Sequence, residues 1–441
     1  SMLVGSLNIL GDAYNPLEFM DNSESNNTFE CNYAKIRSSF MELTSDEVEN
    51  ESCDFGIESD QIKLHLKDSS FCKNCTEIFL ERDNKLSLLN RTNLIVCATK
   101  PLDDGTPLFR AAGEWRSLIQ RQREHYLASG VDIPILLWDI ACCLAVEKNL
   151  LEYVSVCEKS HLNPENLVLN AERLLKPVSA DTEVILAIQE FPKQGSANRA
   201  ALFKVIKELG MQSLEMGDVG FLYSESITQI QLVGSPLGTE PSDIVAAVQQ
   251  LLSGLPPLDL GGDELMRLRT TARKTLVMDV GTDLRIVAVH VKEFRTESGT
   301  AFLARYLRGA CDATRMNIIV GDTNIPTAAK AAVFASSAAE CGLHVLSPVG
   351  CITTRKRRSE LHGQCYDAGK CLRVVEAHKD FVLAFGPPAP AGGCGGWELG
   401  EATAHPDLVQ EAWRLLPSAD WPSDHCMVRL ELRRSPLASN P

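Results

Sequence analysis

The sequence lacks a hydrophobic run long enough to cross a membrane. Its longest apolar stretch, residues 133–146, is interrupted by Asp139 and is shorter than the roughly 20 residues that a transmembrane helix needs. The first residues also lack the basic start, apolar core and cleavage site of a secretory signal. With 44% hydrophobic and 23% charged residues over 441 positions, the composition is typical of a soluble globular protein of two or three domains.

A regular cysteine pattern is also absent. The fifteen cysteines are an odd number without even spacing, which predicts free thiols in a reducing compartment and hence an intracellular protein, cytoplasmic or nuclear. Cys72 and Cys75 have the spacing of half a zinc site. No second Cys-x-x-Cys and no matching pair of histidines follows, so the sequence argues against a structural zinc ion.

An excess of basic residues is missing as well. The net charge is −15, and residues 1–173 hold 16 Lys+Arg against 28 Asp+Glu, whereas the remainder holds 27 against 30. This distribution excludes a strongly basic footprint for nucleic acid. Residues 18–60 are acidic and rich in Asn and Ser, which predicts a loosely packed segment.

Hydrophobic periodicity predicts an α/β domain that is interrupted soon after its first strand, at residues 3–10. Helices are then predicted at 108–128, 134–150 and 163–175, so residues 13–175 form a mainly helical insertion that serves as a scaffold or as a surface for a protein partner. After residue 176, strands and helices mix. Strands are predicted at 183–188, 220–223, 227–233, 274–280, 284–291, 317–320, 343–347, 380–385 and 426–432, and helices at 194–209, 242–253, 299–311 and 328–341.

The sequence Gly321-Asp322-Thr323-Asn324 follows the apolar run 317–320. The run predicts a buried strand, and the glycine lets the chain turn at its end. With a strand period of two, Asp322 and Asn324 are expected to point the same way. An acid can transfer a proton or face a metal ion, and an amide can donate to a phosphoryl oxygen. The pair therefore indicates phosphate chemistry, although in isolation a Gly-Asp sequence after a strand is more often just a turn.

Polar residues also stand at the ends of other predicted strands. They are Asn8, Glu190, His290, Asp380, Asp424 and His425. Each has an ordinary explanation, such as capping a helix or lying on a strand edge. Together they form a set of carboxylates, amides and imidazoles without a cysteine cluster. Oxygen donors of this kind suit Mg²⁺ or Mn²⁺ better than zinc, and a His-Asp pair can supply a base near neutral pH.

This order of motifs resembles the endonuclease/exonuclease/phosphatase (DNase I-like) superfamily. The group includes DNase I, apurinic endonucleases, sphingomyelinases, inositol polyphosphate phosphatases and deadenylases. The matching residues are Asn8, Gln189-Glu190, His290, Gly321-Asp322-Thr323-Asn324, Asp380 and Ser423-Asp424-His425. His290-Val291-Lys292 and the segment 421–425 look nearest to the deadenylase and nocturnin branch, while Gly-Asp-Thr-Asn also looks like the tyrosyl-DNA phosphodiesterase version.

The resemblance covers residues 1–12 and 176–434 and implies a fold and its domains. The implied fold is a four-layer α/β sandwich, in which two packed mixed sheets are flanked by helices and residues 13–175 are inserted after the first strand. Residues 435–441 would be a tail. The sequence departs from the family in one respect, because roughly 180 residues separate Asn8 from Glu190, far more than the family's few tens.

The resemblance also implies roles for the site residues. Glu190 would bind a Mg²⁺ or Mn²⁺ ion, with Asn8 and Asp424 beside it. His425, oriented by Asp380, would polarise or deprotonate the attacking water. Three further residues would act on the phosphoryl group: Asp322 would orient the water or handle the leaving-group proton, and Asn324 and His290 would hold phosphoryl oxygens.

A basic cluster stands where members of the family often contact their substrates. It consists of Arg355, Lys356, Arg357 and Arg358. It is expected either to grip substrate phosphates or to be a solvated loop.

The sequence thus predicts a Mg²⁺-dependent phosphodiester hydrolase, a nuclease that acts on RNA before DNA. Three alternatives stay open. The first is a phosphatase or phosphodiesterase for a small substrate such as an inositol phosphate, a dinucleotide or a lipid head group. The second is an enzyme that processes DNA ends. The third is a non-catalytic binding module whose insertion recruits a partner, and the intact set of site residues counts against it.

Overall fold

A computed structural model of the chain describes residues 1–9, 183–347, 352–357, 374–386, 396–411, 421–434 and parts of 32–63 and 133–152, apart from isolated positions. Several predictions fall outside the described residues, namely the helix at 108–128, the helix at 163–175 apart from Leu175, the Cys72–Cys75 spacing and the tail. Among the helices that are described, none combines the length and the apolarity that crossing a membrane requires.

The described strands follow one another along the chain with helices between them. The strands are β1 (Met2–Asn8), β2 (Glu183–Gln189), β3 (Met211–Met216), β4 (Val219–Ser224), β5 (Ile230–Gly234), β6 (Thr275–Val280), β7 (Leu284–His290), β8 (Met316–Asp322), β9 (His344–Val345), β10 (Thr354–Arg357), β11 (Val374–Ala377), β12 (Asp380–Phe385), β13 (Trp397–His405) and β14 (Met427–Arg434). The helices are α1 (Ser45–Asp54), α2 (Ser59–Lys63), α3 (Ile133–Lys148), α4 (Ala197–Glu208), α5 (Pro241–Leu251), α6 (Gly262–Arg273), α7 (Glu297–Gly309) and α8 (Ala328–Glu340).

Two six-stranded sheets carry the fold. The first has the order β13-β14-β1-β2-β4-β3, and the second has the order β5-β6-β7-β8-β12-β9. Each sheet holds one parallel pair, β1 with β2 and β7 with β8, among antiparallel pairs. Strands β10 and β11 form a separate hairpin. The prediction of two mixed sheets in an α/β fold is confirmed.

Among the described residues of the two sheets and their flanking helices, three hydrophobic clusters define the layers. A central cluster joins the two sheets, with Val4 from β1 facing the same interior as Ile318 from β8. A second cluster lies between the second sheet and helices α5 to α8. A third packs α4 against the outer face of the first sheet. Helices therefore cover both outer faces, as the four-layer prediction requires.

Strand β8 illustrates why the buried strands have unbroken apolar sequences. Ile318 and Val320 face the central cluster, whereas Ile319 faces the helices. Because successive side chains point to opposite faces of a sheet, a strand that is covered on both faces must be apolar at every position. This run ends at Asp322, which is polar but also buried.

Helices α1, α2 and α3 lie between β1 and β2 in the sequence and pack on one another. A capping box begins α1, in which the Thr44 hydroxyl accepts from the backbone N–H of Glu47 and the Glu47 carboxylate accepts from that of Thr44. The ammonium of Lys148 in α3 lies 2.6 Å from Glu47. The insertion thus contains a helical cluster with its own buried side chains.

Two stretches whose sequences suit loops contain strands. The proline and glycine content of residues 386–400 predicts a loop, but β13 begins at Trp397 and pairs with β14. A solvated loop is one of the two alternatives for the basic cluster, but residues 354–357 form β10. In both places the strand contains many polar side chains, so its sequence lacks the apolar pattern that predicts a strand. Many of those in β13 are exposed, and in β10 the charges of Arg355 and Lys356 are buried and paired.

Candidate active site

Strand register brings the predicted residues to one edge of the two sheets. In the first sheet, Asn8 lies opposite Gln189 in the parallel β1–β2 pair, so Glu190 follows directly. In the second sheet, Asp322 lies opposite both His290 and Asp380. Because β1, β2, β7 and β8 end at the same edge, and β12 begins there, residues far apart in the sequence converge.

One hydrogen bond joins the Ser-Asp-His segment to this edge, and two more hold the segment locally. The hydroxyl of Ser423 donates to the carbonyl of Asn8 and accepts from the backbone N–H of His425 at 3.0 Å. The indole N–H of Trp421 donates to the carbonyl of His425 at 2.7 Å. These buried contacts fix the position of the His425 imidazole, since both sides of its backbone are held.

The His425 imidazole lies between two carboxylates. Its Nδ1 is 2.9 Å from Oδ2 of Asp380, and its Nε2 is 3.6 Å from Oδ2 of Asp322. The same Nε2 lies 3.9 Å from Oδ1 of Asp424. All four side chains are almost fully buried, so their charges act on one another with little screening.

Charge sets the proton affinities of this group. Burial acts to lower the pKa of His425, but the negative charges of the three aspartates outweigh it and raise that pKa to about 9. Burial acts to raise the pKa of Asp322, but the positive charges of His425 and Lys379 hold it below its usual range. Burial raises the pKa of Asp380, and the charge of His425 offsets this only in part.

Asn8 contacts both Glu190, which is expected to bind a metal ion, and Asp322. Its Nδ2 donates to Oε1 of Glu190 at 3.0 Å and lies 3.5 Å from Oδ2 of Asp322. Glu190 has a φ of 55°, a conformation that costs energy for a non-glycine residue. It is held in place by its neighbour, because the N–H of the buried Phe191 donates to the carbonyl of Asp218 at 2.9 Å.

Asn324 reaches the site by a local bend rather than by strand alternation. Its φ is 48°, and its backbone N–H donates to Oδ1 of Asp322 at 2.7 Å. Its Nδ2 donates to the carbonyl of Val291 at 2.9 Å, and its Oδ1 accepts from Nζ of Lys379 at 3.2 Å. These bonds orient the amide, which keeps a second Nδ2–H beyond the one given to Val291.

A close backbone approach explains the glycine of the Gly-Asp-x-Asn motif. Gly321 has a φ of 151°, and a Cβ at this position would lie 2.0 Å from the carbonyl oxygen of Val289 on β7. Any side chain would push β7 and β8 apart. The glycine therefore allows His290 and Asp322 to lie opposite each other.

Sequence reasoning missed several residues of the site. Oδ2 of Asp218 lies 3.1 Å from Nδ1 of His290 and 2.5 Å from Nζ of Lys274. Burial acts to raise the pKa of Asp218, but these two partners lower it to about 2. Nothing local marks Asp218, which lies in the turn between β3 and β4, whereas Lys379 directly precedes Asp380 and could have been found by that adjacency.

Two side chains of the basic cluster, Arg355 and Lys356, are described, and of these two Lys356 contacts a residue of the candidate site. Nε of the buried Arg355 donates to Oε1 of Glu376 at 2.6 Å, and its Nη1 donates to the carbonyl of Glu411 at 2.8 Å. Lys356 forms a buried ion pair with Asp424. The side chain of Arg357 and all of Arg358 lie outside the described residues. The use of the cluster in substrate binding stays a prediction.

The donor atoms fit a hard divalent cation. Ligand atoms of Asp322, Asp380 and His425 lie within 4.8 Å of one another, but Nδ1 of His425 already faces Asp380. The amide of Asn8 contacts both the Glu190 carboxylate and Asp322. Oδ1 of Asp424 is buried and lacks a hydrogen-bond partner among the described residues. A cation would compensate such an oxygen, and oxygen ligands of this kind suit Mg²⁺ or Mn²⁺.

No family model matches the sequence, and no curated protein does. Solved nuclease structures do match. An AP endonuclease from Archaeoglobus fulgidus is similar at 14% identity and a TM-score of 0.34, over 60% of this chain and 93% of that one. D. rerio TDP2, complexed with a single-strand DNA product, is similar at 12% identity and a TM-score of 0.35, over 62% and 93%. The Xenopus laevis APE2 catalytic domain is similar at 13% identity and a TM-score of 0.32, over 62% and 90%.

Proposed function

We propose that the chain is a divalent-metal-dependent hydrolase of phosphodiesters that acts on nucleic acid, RNA before DNA. The observation that carries the proposal is the His425 imidazole, held 2.9 Å from Asp380 and 3.6 Å from Asp322. Oxygen donors from Asn8 and Glu190 meet this group through the Asn8 amide. A base unit next to a set of hard donors is what metal-assisted phosphoester hydrolysis requires.

His425 is the proposed base. Because Asp380 accepts the proton of Nδ1, Nε2 is left to take a proton from water. The same carboxylates that orient the imidazole also raise its pKa to about 9, so in the absence of other charge it stays protonated at neutral pH. Positive charge brought to these carboxylates lowers that pKa toward the range of a working base.

Glu190, Asn8 and Asp424 are the proposed holders of Mg²⁺ or Mn²⁺. When bound, such an ion neutralises phosphate charge and lowers the pKa of a coordinated water. Asn8 also donates to Oε1 of Glu190, which fixes the orientation of the carboxylate that would bind the ion. This proposal explains why an acid with a positive φ is retained at the end of β2.

Asp322, Asn324 and His290 are proposed to face the phosphoryl group. The pKa of Asp322 lies below its usual range, which favours orienting the water as an ionised acceptor over donating a proton to the leaving group. Asn324 keeps a second amide N–H for a phosphoryl oxygen. His290 is fixed at Nδ1 by Asp218, so its Nε2 is free to address the substrate.

One observation favours a second candidate, a phosphatase or phosphodiesterase for small substrates such as inositol phosphates, dinucleotides or lipid head groups. Arg355 and Lys356 both face carboxylates, so these two cations are not displayed on an open basic surface. DNA-end processing remains a variant of the first candidate. A site with this many converging groups argues against a purely non-catalytic module.

The proposed domain division follows the sheets. Residues 1–12 and 176–434 supply the two-sheet catalytic domain, and residues 13–175 are an acidic insertion that offers a surface to a protein partner. Helices α1 to α3 pack on one another within that insertion. The division stays a proposal that the deletion described in the Discussion tests.

The experiment is a release assay on a panel of substrates. RNA, single- and double-stranded DNA, a dinucleotide and inositol phosphates are incubated with Mg²⁺, with Mn²⁺ or with a chelator, and His425→Ala is the matched control. We expect hydrolysis that needs the ion and His425, with the highest kcat/KM on RNA. Cleavage of inositol phosphates or dinucleotides alone would favour the second candidate, and no hydrolysis of any substrate would refute both.

A further inference from the structure

Lys356 stands out because its charge is buried within the candidate active site. Its side chain is 8% exposed, and its ion-pair partner Asp424 is 5% exposed. Lysine is almost never so deeply buried unless it is paired, and burying both charges costs much of what their attraction returns. A buried pair of this kind is weak evidence of a stabilising role and calls for a functional explanation.

The two basic side chains of the hairpin that are described, Arg355 and Lys356, point to different partners. Strand β10 exposes successive residues to opposite faces, so Arg355 points to Glu376 and the carbonyl of Glu411, whereas Lys356 points to Asp424. Of these two cations, Lys356 alone enters the candidate active site. The hairpin thus delivers one ammonium to the place where the predicted reaction occurs.

Asp424 bridges this ammonium and the proposed base. One of its oxygens, Oδ2, meets Lys356, and the other, Oδ1, lies 3.9 Å from Nε2 of His425. A single carboxylate therefore separates Nζ of Lys356 from the atom that would take the proton of the attacking water. In many phosphoesterases two divalent ions stand about 3.5–4 Å apart across shared oxygens and neutralise the reacting phosphoryl group together.

We propose that Lys356 is a catalytic residue whose ammonium contacts a non-bridging oxygen of the reacting phosphoryl group. It would supply the charge that a second divalent ion supplies in two-metal sites. The inference rests on the proposed phosphoester hydrolysis, and it differs from a grip on remote substrate phosphates. Lys356 forms no covalent bond and transfers no proton in this step. It acts as a fixed point charge that is set in place before the substrate arrives.

Comparing a double variant with the single variants distinguishes a contact with the phosphoryl group from mere neutralisation of the Asp424 charge. In an Asp424→Asn background the aspartate charge is gone, so a lysine that only neutralised Asp424 would have no further effect when replaced. A lysine that touches the phosphoryl group still has one. The set of variants is Lys356→Met, Lys356→Arg, Asp424→Asn and Asp424→Asn with Lys356→Met.

Two readouts use small probes that cannot reach remote subsites. The first is kcat on bis(p-nitrophenyl) phosphate with Mg²⁺, and the second is the affinity for inorganic phosphate, measured by calorimetry with Mg²⁺. We expect Lys356→Met to lose about 100-fold in kcat, as when one oxyanion donor is removed, and Lys356→Arg to stay within about tenfold of wild type. Phosphate affinity should fall in the Lys356→Met variant and fall again between the single Asp424→Asn variant and the double variant.

The outcomes distinguish the inference from the function on which it rests. A folded Lys356→Met variant with wild-type kcat and phosphate affinity overturns the inference and leaves the hydrolase intact. Equal phosphate affinity of Asp424→Asn and the double variant overturns it as well. If wild type hydrolyses nothing, the proposed function fails, while phosphate binding still reports whether Lys356 meets an anion. Should Lys356→Met not fold, the double variant decides, because it carries no uncompensated carboxylate.

Discussion

Glu190 has a backbone conformation that few residues other than glycine adopt. Its φ of 55° costs on the order of 1–3 kcal/mol and persists only where the surroundings impose it. Here they do so through Asn8 on one side and Phe191 on the other. An observed strain at a residue of this chemistry supports a functional explanation over an incidental one.

The first prediction concerns this carboxylate. Glu190→Gln keeps the size of the side chain but removes the charge that would hold the ion, so turnover at sub-millimolar Mg²⁺ should disappear while the fold remains. Steady-state kinetics and Mn²⁺ affinity by calorimetry measure the effect, with Glu183→Gln at the exposed start of β2 as the control. Wild-type turnover in the Glu190→Gln variant would refute the metal assignment.

His425 and Asp380 should behave as one unit. Each of His425→Ala and Asp380→Asn is expected to lower kcat by about 10³-fold or more, and the double variant should be no worse than His425→Ala, since members of a unit are non-additive. The measurement is kcat for the four proteins on one substrate. Losses that multiply in the double variant would show that Asp380 does not act through His425.

Asp218 gives a prediction for stability against pH. Its pKa is lowered to about 2 from 3.8, so its stabilising effect is complete above pH 4 and is lost as the pH falls through 2. We expect Asp218→Asn to cost up to about 2 kcal/mol in the free energy of unfolding at pH 7. Urea denaturation across this pH range measures it, with the exposed Asp259→Asn as the control. A loss that does not shrink in acid would contradict the assignment.

At the scale of elements, the β7–β8 pair is built around Gly321. A Cβ there would lie 2.0 Å from the carbonyl oxygen of Val289, and no side-chain movement relieves a clash between backbones. Gly321→Ala should therefore cost at least about 3 kcal/mol in the free energy of unfolding. The denaturant midpoint measures this, and Gly254→Ala, whose Cβ meets nothing within 4 Å, should leave it unchanged. Similar midpoints for the two variants would contradict the close approach.

The sequence predicts those elements best whose apolar runs are continuous. Strands β2, β7, β8 and β12 are buried along almost all of their length. Each contains an apolar run beside a polar residue, which follows the run in β2, β7 and β8 and precedes it in β12. The candidate site was predictable for the same reason, because most of its motif residues stand directly beside these apolar runs. The resemblance to a known superfamily supplied the roles, which the apolar pattern alone does not provide.

The elements that were missed owe their positions to contacts between distant residues. Strand β3 is a mixed polar sequence on a sheet edge, and β10 buries two charges against Glu376 and Asp424, the latter 68 positions away. Asp218 meets His290 across 72 positions. No local sequence pattern predicts these partners, because they come together only when the chain folds.

At the scale of the whole molecule, the negative charge is concentrated ahead of β2. Residues 10–152 hold 14 Lys+Arg and 25 Asp+Glu, a net of −11 out of −15. If the substrate is a polynucleotide, this charge repels it, and the repulsion is screened by salt. The candidate site itself is lined by His290, His425, Lys274, Lys356 and Lys379 in addition to its carboxylates.

Replacing residues 13–175 by a Gly/Ser linker of about 20 residues tests both the charge and the domain division, because these residues hold 16 Lys+Arg and 27 Asp+Glu, again a net of −11. A linker is needed because β1 and β2 are parallel and require a crossover. We expect a folded protein that cleaves a dinucleotide like wild type and binds single-stranded RNA more tightly at 50 mM salt, with the difference gone at about 0.5 M. Loss of the catalytic fold would argue against the division, and unchanged RNA affinity at low salt would argue against the repulsion.

The order of strands in the first sheet has a consequence for synthesis on the ribosome. Strand β1 is made before all other described strands, yet its two neighbours are β2 and β14, and β14 is made after all of them. At 5–20 residues per second, about 20–80 s pass between β1 and β14. The second sheet can close during this interval, whereas one edge of an apolar strand waits until β14 is made. Throughout this interval, Met2–Asn8 offers the nascent chain's neighbours an edge that a chaperone must shield or another chain can pair with.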